Sequence, residues 1–285
     1  MGGLGNQMFQ YAAGRNLSVK LQNEFKIDHS FLETDAKGEY TKRHYELNVF
    51  NCIQTKSDNS ELNTIKQLQK TEMLPKLYNK LFLNNTFTIF NEKNTLYNSA
   101  IENLNGNIYL NGFWQSEKYF LSIHETLLKE FSLKQTLSQE AEILKNKIIS
   151  DQHSVSIHFR RGDYVHLASA NTFHGTTELD YYHSAMDVIK AKITNPSFYI
   201  FSDDMNWVKE NFKIEKATYI EELKSYEDLE LMKTCEHNII ANSSFSWWGA
   251  WLNDNTEKTV IAPKQWFKDK TIDTSDLIPA AWLKI

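Results

Sequence analysis

Val155-Ser156-Ile157-His158-Phe159-Arg160-Arg161-Gly162-Asp163 is the stretch on which the fold turns. A short apolar run that stops abruptly at charge and glycine reads as a strand buried on both faces, the kind found in parallel sheets. The same unit recurs downstream. Strands are expected at 197–201, 218–220, 238–241 and 259–262, with helices between them at 181–191, 206–212, 226–235 and 246–252. Strands alternating with helices in short steps predict a doubly wound α/β domain. Ligands of such sheets bind beyond the carboxyl ends of the strands.

Upstream the pattern is weaker. A strand is expected over 107–114, amphipathic helices over 119–131 and 138–149, and a short helix near 60–70. Three of the chain's 10 glycines lie in the first five residues, and a helix is expected right after them, running to about Leu21. A glycine turn at a helix start offers free N–H groups and a positive dipole end. A strand ordinarily precedes such a turn, so a trimmed start lacking that strand is expected. The break between two domains is expected near residue 150, giving 1–150 and 151–285, with a last helix packing back on the first domain.

The 285 residues carry a formal net charge of −5 and are 41% hydrophobic, which argues against a nucleic-acid binder and against disorder. No apolar run approaches the length of a membrane span. Two distant cysteines, Cys52 and Cys235, fit reduced thiols and a cytoplasmic protein. No histidine pair has metal-site spacing, and neither a phosphate-binding P-loop nor a serine-nucleophile elbow occurs. No metal and no cofactor are expected.

The strand ends hold the candidate site. Arg160 and Arg161 leave a buried strand together. They form either a surface ion pair, with Asp163 for instance, or a bidentate anion site. Asp203 and Asp204 end the next strand, as a helix cap or as site-shaping acids. Asn242, Ser243, Ser244, Phe245 and Ser246 precede a helix; small hydroxyls there cap it or bind an anion with its free N–H groups. Trp247, Trp248 and Trp251 share that helix, as core or, for one of them, as a sugar platform. Asp228 either favours a helix dipole or accepts two guanine N–H donors.

Four segments together resemble a known family: Gly2-Gly3-Leu4-Gly5-Asn6-Gln7-Met8-Phe9, His158-Phe159-Arg160-Arg161-Gly162-Asp163-Tyr164, Phe201-Ser202-Asp203-Asp204, and Ala241 to Leu252. In order and spacing they are similar to the bacterial α-1,2-fucosyltransferases of glycosyltransferase family 11. The resemblance implies a GT-B-like fold of two Rossmann-like domains facing a nucleotide-sugar cleft. It also implies inverting, metal-independent transfer of fucose from GDP-fucose to the 2-hydroxyl of a galactose on an oligosaccharide acceptor. Carried over, Arg160 stabilises the departing diphosphate, Arg161 lies beside the nucleotide sugar, and His158 contacts the nucleoside. Asp203 shapes the donor site and Asp228 reads guanine. Asn242, Ser243, Ser244, Phe245 and Ser246 hold phosphate, while Gly3, Gly5 and Asn6 close the cleft. Related core-fucosylating enzymes place a Glu where this chain has Ala168. That leaves Asp163 and His174 as candidate bases, with Asp163 preferred. The resemblance further implies peripheral contact with the inner face of a bacterial membrane. The alternatives are an inverting fucosyltransferase of another linkage or acceptor, and a non-catalytic nucleotide- or carbohydrate-binding protein.

Overall fold

The computed structural model describes residues 1–33, 43–71, 87–162 and 175–285. Contacts divide them into two compact units, one built mainly from the chain up to Leu133 and the other mainly from Lys134 onward. The boundary therefore falls before the helix Gln139–Ile149, not after it as the sequence suggested. The reason is packing. Lys145 pairs with Glu230 at 2.9 Å, the Ser138 N–H donates to Glu227 at 2.7 Å, and Ile148 is buried against Tyr199 and Leu231.

The second unit carries a six-stranded parallel sheet. Its strands are β3 (Ser154–Phe159), β4 (Ser197–Ser202), β5 (Ala217–Tyr219), β6 (His237–Ile239), β7 (Val260–Ala262) and β8 (Leu283–Lys284). Their order is β5-β4-β3-β6-β7-β8. This is the doubly wound Rossmann order, in which the chain reverses direction across the sheet between β3 and β6. Every residue of β3 is buried, as a central strand covered on both faces requires. Side-chain alternation splits the core in two. Val155, Ile157, Phe198 and Ile200 meet Tyr182, Ala185 and Ile189 on one face, while Tyr199 and Phe201 meet Leu231, Met232 and Cys235 on the other. At the buried join, Asn238 of β6 donates to Ser156 Oγ of β3 at 2.8 Å and accepts from Asn253 at 2.8 Å. The terminal helix expected from the sequence is absent, since residues 263–285 form no helix. The chain ends in β8, too short for its periodicity to show, while Ser275–Leu277 joins the first unit through Asp276, which accepts the Tyr97 N–H and pairs with Lys118.

The first unit is built around α1 (Leu4–Leu21), whose Met8, Phe9, Ala12 and Ala13 are buried. Arg15 and Tyr11 both reach Glu130, at 2.9 and 2.7 Å. Among the described residues this unit has one two-stranded parallel sheet, β1 (Thr88–Asn91) with β2 (Ile108–Asn111), and a parallel bridge between Ile27 and Lys56. Parallel pairing in this unit fits the Rossmann-like domain expected there.

Further helices are α2 (Ser30–Glu33), α3 (Asn59–Thr71), α4 (His124–Glu130), α5 (Gln139–Ile149), α6 (Leu179–Lys192), α7 (Met205–Asn211), α8 (Ser225–Thr234) and α9 (Ser244–Trp251). Within the described residues, no helix is long and apolar enough to cross a membrane.

Candidate functional site

The reversal in strand order puts the ends of β3 and β6 side by side in the second unit, the place where ligands of such sheets bind. Arg160, Arg161 and Gly162 follow β3, and Ile240 to Ser243 lead from β6 into α9. Arg160 Nη1 lies 2.6 Å from Asp203 Oδ2. The other oxygen of Asp203 accepts the Arg161 N–H at 2.8 Å. A Cβ on Gly162 would come within 2.7 Å of that same carboxylate, so glycine there lets Asp203 approach the turn. Asp204 plays the other role considered for the pair: its carboxylate accepts the Trp207 N–H at 3.3 Å and caps α7.

The two arginines separate. The Arg161 guanidinium stacks on Trp207, 3.4 Å from the ring centroid, and its Nε is 3.6 Å from Asp204. That geometry braces the turn against α7. His158 is 4% exposed, and its Nδ1 has no hydrogen-bond partner. Burial pushes its pKa down to about 4, with Asp203 pulling it up and Arg160 pushing it further down. The imidazole is therefore neutral near pH 7. Its ring lies 5.7 Å from that of Phe245.

At α9 the hydroxyl and amide groups divide between scaffold and site. Ser243 caps the helix by accepting the Phe245 N–H, and Ser246 is buried with its hydroxyl on the Ser243 carbonyl. Asn242 is scaffold. Its amide donates to the Gly175 and Trp266 carbonyls at 3.2 and 3.1 Å and accepts from Thr177 at 3.0 Å, so these three bonds engage both ends of the amide. Ser244 and Phe245 open α9 half-buried, and its first turn holds no acid. Trp247, Trp248 and Trp251 are all core, at 0%, 0% and 4% exposure, and none offers a sugar platform.

Asp228 sits in the first turn of α8. Burial, with the neighbouring Glu227 charge adding to it, pushes its carboxyl up to about 7. Glu227 is fixed by the N–H groups of Ser138 and Lys224. Asp163, His174 and Ala168 lie outside the described residues.

In the first unit the helix opens earlier than the sequence suggested, at Leu4, so Gly5 lies inside α1 and Gly3 is its N-cap. Burial raises the Glu46 pKa, with Arg43 and the Leu4 N–H among the groups that pull it back. Gly2 adopts φ +74 and packs against Asn6, where a Cβ would fall 2.5 Å from Asn6 Nδ2. Asn6 Oδ1 accepts from Gln115 Nε2 at 2.8 Å.

Gln115 belongs to a turn the sequence did not single out. Trp114 holds φ +58, a left-handed backbone that bulky residues rarely adopt. The Glu92 carboxylate accepts both the Phe113 and the Trp114 N–H, at 2.7 and 2.9 Å. Burial raises the Glu92 pKa, and these two donors pull it back. The Asn111-Gly112 pair was the available signal for a turn here. A separate cavity of about 680 Å³ in this unit is lined by Gln10, Tyr11, Phe25, Tyr45 and Tyr109 among others. Among the described residues, no three His, Cys, Asp or Glu side chains gather to hold a metal ion.

The sequence profile of glycosyl transferase family 11 matches residues 2–285. The chain belongs to that family. It is a glycosyltransferase, and two bacterial relatives match it over its whole length. The O-antigen biosynthesis glycosyltransferase WbnK of Escherichia coli is 32% identical over all of this chain and 98% of its own. An α-1,2-colitosyltransferase of Escherichia coli is 33% identical over all of this chain and 96% of its own. The galactoside α-(1,2)-fucosyltransferase 1 of Plecturocebus brunneus is 28% identical over 50% of this chain and 42% of its own. Among solved structures, NodZ α-1,6-fucosyltransferase soaked with GDP-fucose is similar over 88% of this chain and 89% of its own, at 13% identity and a TM-score of 0.46.

Proposed function

We propose that this family 11 enzyme transfers fucose from GDP-fucose to the 2-hydroxyl of a terminal galactose, inverting the anomeric centre without a metal ion. The observation that carries this reading is Arg160, held by Asp203 at the end of β3 and at the point where strand order reverses. As the bond from the sugar C1 to the β-phosphate oxygen breaks, its electron pair goes to the phosphate. A fixed guanidinium stabilises that growing charge more than it stabilises the ground state. The acceptor hydroxyl attacks C1 from the opposite face and gives its proton to a base, for which Asp163 is our candidate and His174 the second.

The neighbouring residues take supporting parts in this reading. Ser243, Ser244, Phe245 and Ser246 offer the first turn of α9 to the diphosphate. Neutral His158 meets the nucleoside, and Asp228 accepts the two guanine donors. Arg161 acts by bracing the turn and Asn242 by fixing the scaffold. Gly3, Gly5 and Asn6 serve substrate from the first unit. Two buried cysteines, Cys52 and Cys235, present as thiols, fit a cytoplasmic setting.

A second donor has its own support, because a full-length relative is named an α-1,2-colitosyltransferase. The test offers GDP-fucose and GDP-colitose separately, with lactose and an O-antigen oligosaccharide as acceptors, in EDTA. GDP release with a 2-linked fucosyl product supports the first reading, and turnover with GDP-colitose alone moves it to the second. Folded protein that turns over neither sugar on any galactoside overturns both.

A further inference from the structure

We propose that Gln115 is the residue that sets the Asn6 amide for substrate, and that the turn carrying it is built for this purpose. The inference rests on the reading that Asn6 touches substrate. An asparagine at the head of a helix has a side chain that rotates among several staggered positions when nothing holds it. Here Gln115 Nε2 donates to Asn6 Oδ1 at 2.8 Å, and Gly2, with φ +74, packs its backbone against the other side of the amide. With the oxygen engaged, the Asn6 Nδ2 is left as the donor. A fixed N–H donor is what an oxygen of a sugar or phosphate requires.

The support behind Gln115 is unusually costly for a surface turn. Trp114 is 1% exposed and sits at φ +58, which costs about 1–3 kcal/mol. Its ring stacks parallel to Phe90, with centroids 5.8 Å apart, and meets Tyr119 edge-on at 5.3 Å. Glu92, at the end of β1, takes both N–H groups of the turn. A Cβ on Gly112 would lie 2.3 Å from Glu92 Cβ, so the turn closes onto that carboxylate only with glycine at this position. Strand, carboxylate, strained tryptophan and glutamine thus form one rigid chain of contacts that ends on Asn6. Strain of this kind persists where surrounding structure over-determines it, and it clusters at sites that must be pre-organised. Gln115 is accordingly a positioning residue, acting through Asn6.

The experiment is a double-mutant cycle on the full chain, Asn6→Ala, Gln115→Ala and the pair, read as kcat/KM with the preferred nucleotide sugar. Gln115→Ala should lower kcat/KM about tenfold, the equivalent of one hydrogen bond. The double variant should be no slower than Asn6→Ala alone, because the partner through which Gln115 acts is already gone. Additive losses, or an Asn6→Ala enzyme of full activity, would overturn the proposal. A companion measurement does not depend on turnover: the side-chain amide resonances of Asn6, compared between the wild-type and Gln115→Ala proteins. They should shift and converge when Gln115 is removed, and unchanged resonances would refute the link. If neither nucleotide sugar turns over, the donor reading fails, and the resonances still decide whether Gln115 holds Asn6.

Discussion

Replacing Asp228 by Asn should make the protein more heat-stable and worse at holding its nucleotide. The carboxyl is raised from its ordinary 3.8 to about 7, first by burial and then by Glu227. Above pH 7 the empty protein therefore carries a charge it would be more stable without. The difference corresponds to about 4 kcal/mol, and because Asp228 is only half-buried, solvent screening trims it to about 2–3 kcal/mol. The sign follows from linkage. The folded-state pKa lies above the unfolded one, so protonation stabilises the fold below pH 4, and that stability is lost as pH rises through about 7. Asn has no such charge. At pH 8, Asp228→Asn should therefore melt about 5–10 °C above the wild type, while at pH 4 the two should converge. Titration calorimetry supplies the other half. The variant should lose about 30-fold or more in GDP affinity while UDP affinity barely moves, since the proposed role gives Asp228 two charge-assisted bonds to guanine. In the wild type the GDP-to-UDP preference should fall about fivefold between pH 7 and 6, as the acceptor carboxylate is protonated. His158, whose pKa lies near 4, stays neutral across that window. A variant that melts with the wild type at pH 8, or keeps its preference for GDP, would refute the reasoning.

Arg160→Ala should reduce kcat by about 10²–10³ with little loss of melting temperature, since the proposed role of the side chain is to stabilise the leaving group; steady-state kinetics with a thermal melt checks both. Arg161→Ala should show the reverse, a destabilisation of about 1–2 kcal/mol from the lost Trp207 stack with a smaller kinetic effect. Equal and mild effects from the two would contradict the division of roles. Asn242→Ala removes three scaffold hydrogen bonds and should cost about 2–3 kcal/mol in chemical denaturation, leaving the GDP dissociation constant unchanged at temperatures where the variant is folded.

The second half of the chain was readable because its strands are covered on both faces. Val155 to Phe159 and Phe198 to Phe201 must be apolar almost throughout, and that is a strong local signal. Strand ends could be located for the same reason, and with them Arg160 and Asp203. Two kinds of information were not local. Asn242 stands where a ligand contact would stand, and only the positions of Gly175, Thr177 and Trp266 reveal that its amide serves the scaffold. The turn at Trp114 was hidden because left-handed backbone is normally announced by Gly or Asn, whereas here a buried tryptophan adopts it under constraint from Glu92. The first unit's strands are four residues each, too short for periodicity to rise above the noise of their polar neighbours. The resemblance to family 11 rested on strand-end and helix-start motifs, which is why it survived these misreadings.

The distribution of tryptophan has an optical consequence. Of the seven in the chain, Trp207, Trp247, Trp248, Trp251, Trp266 and Trp282 belong to the unit that carries the sheet β3 to β8. Trp114 alone belongs to the other, where it forms the strained turn. Intrinsic fluorescence of the native protein is therefore almost entirely an emission from one half of the molecule. If the two halves melt at different temperatures, a fluorescence transition will follow the second unit and the far-ultraviolet dichroism will follow both. The gap between the two curves measures how tightly the halves are thermodynamically coupled, with no label added.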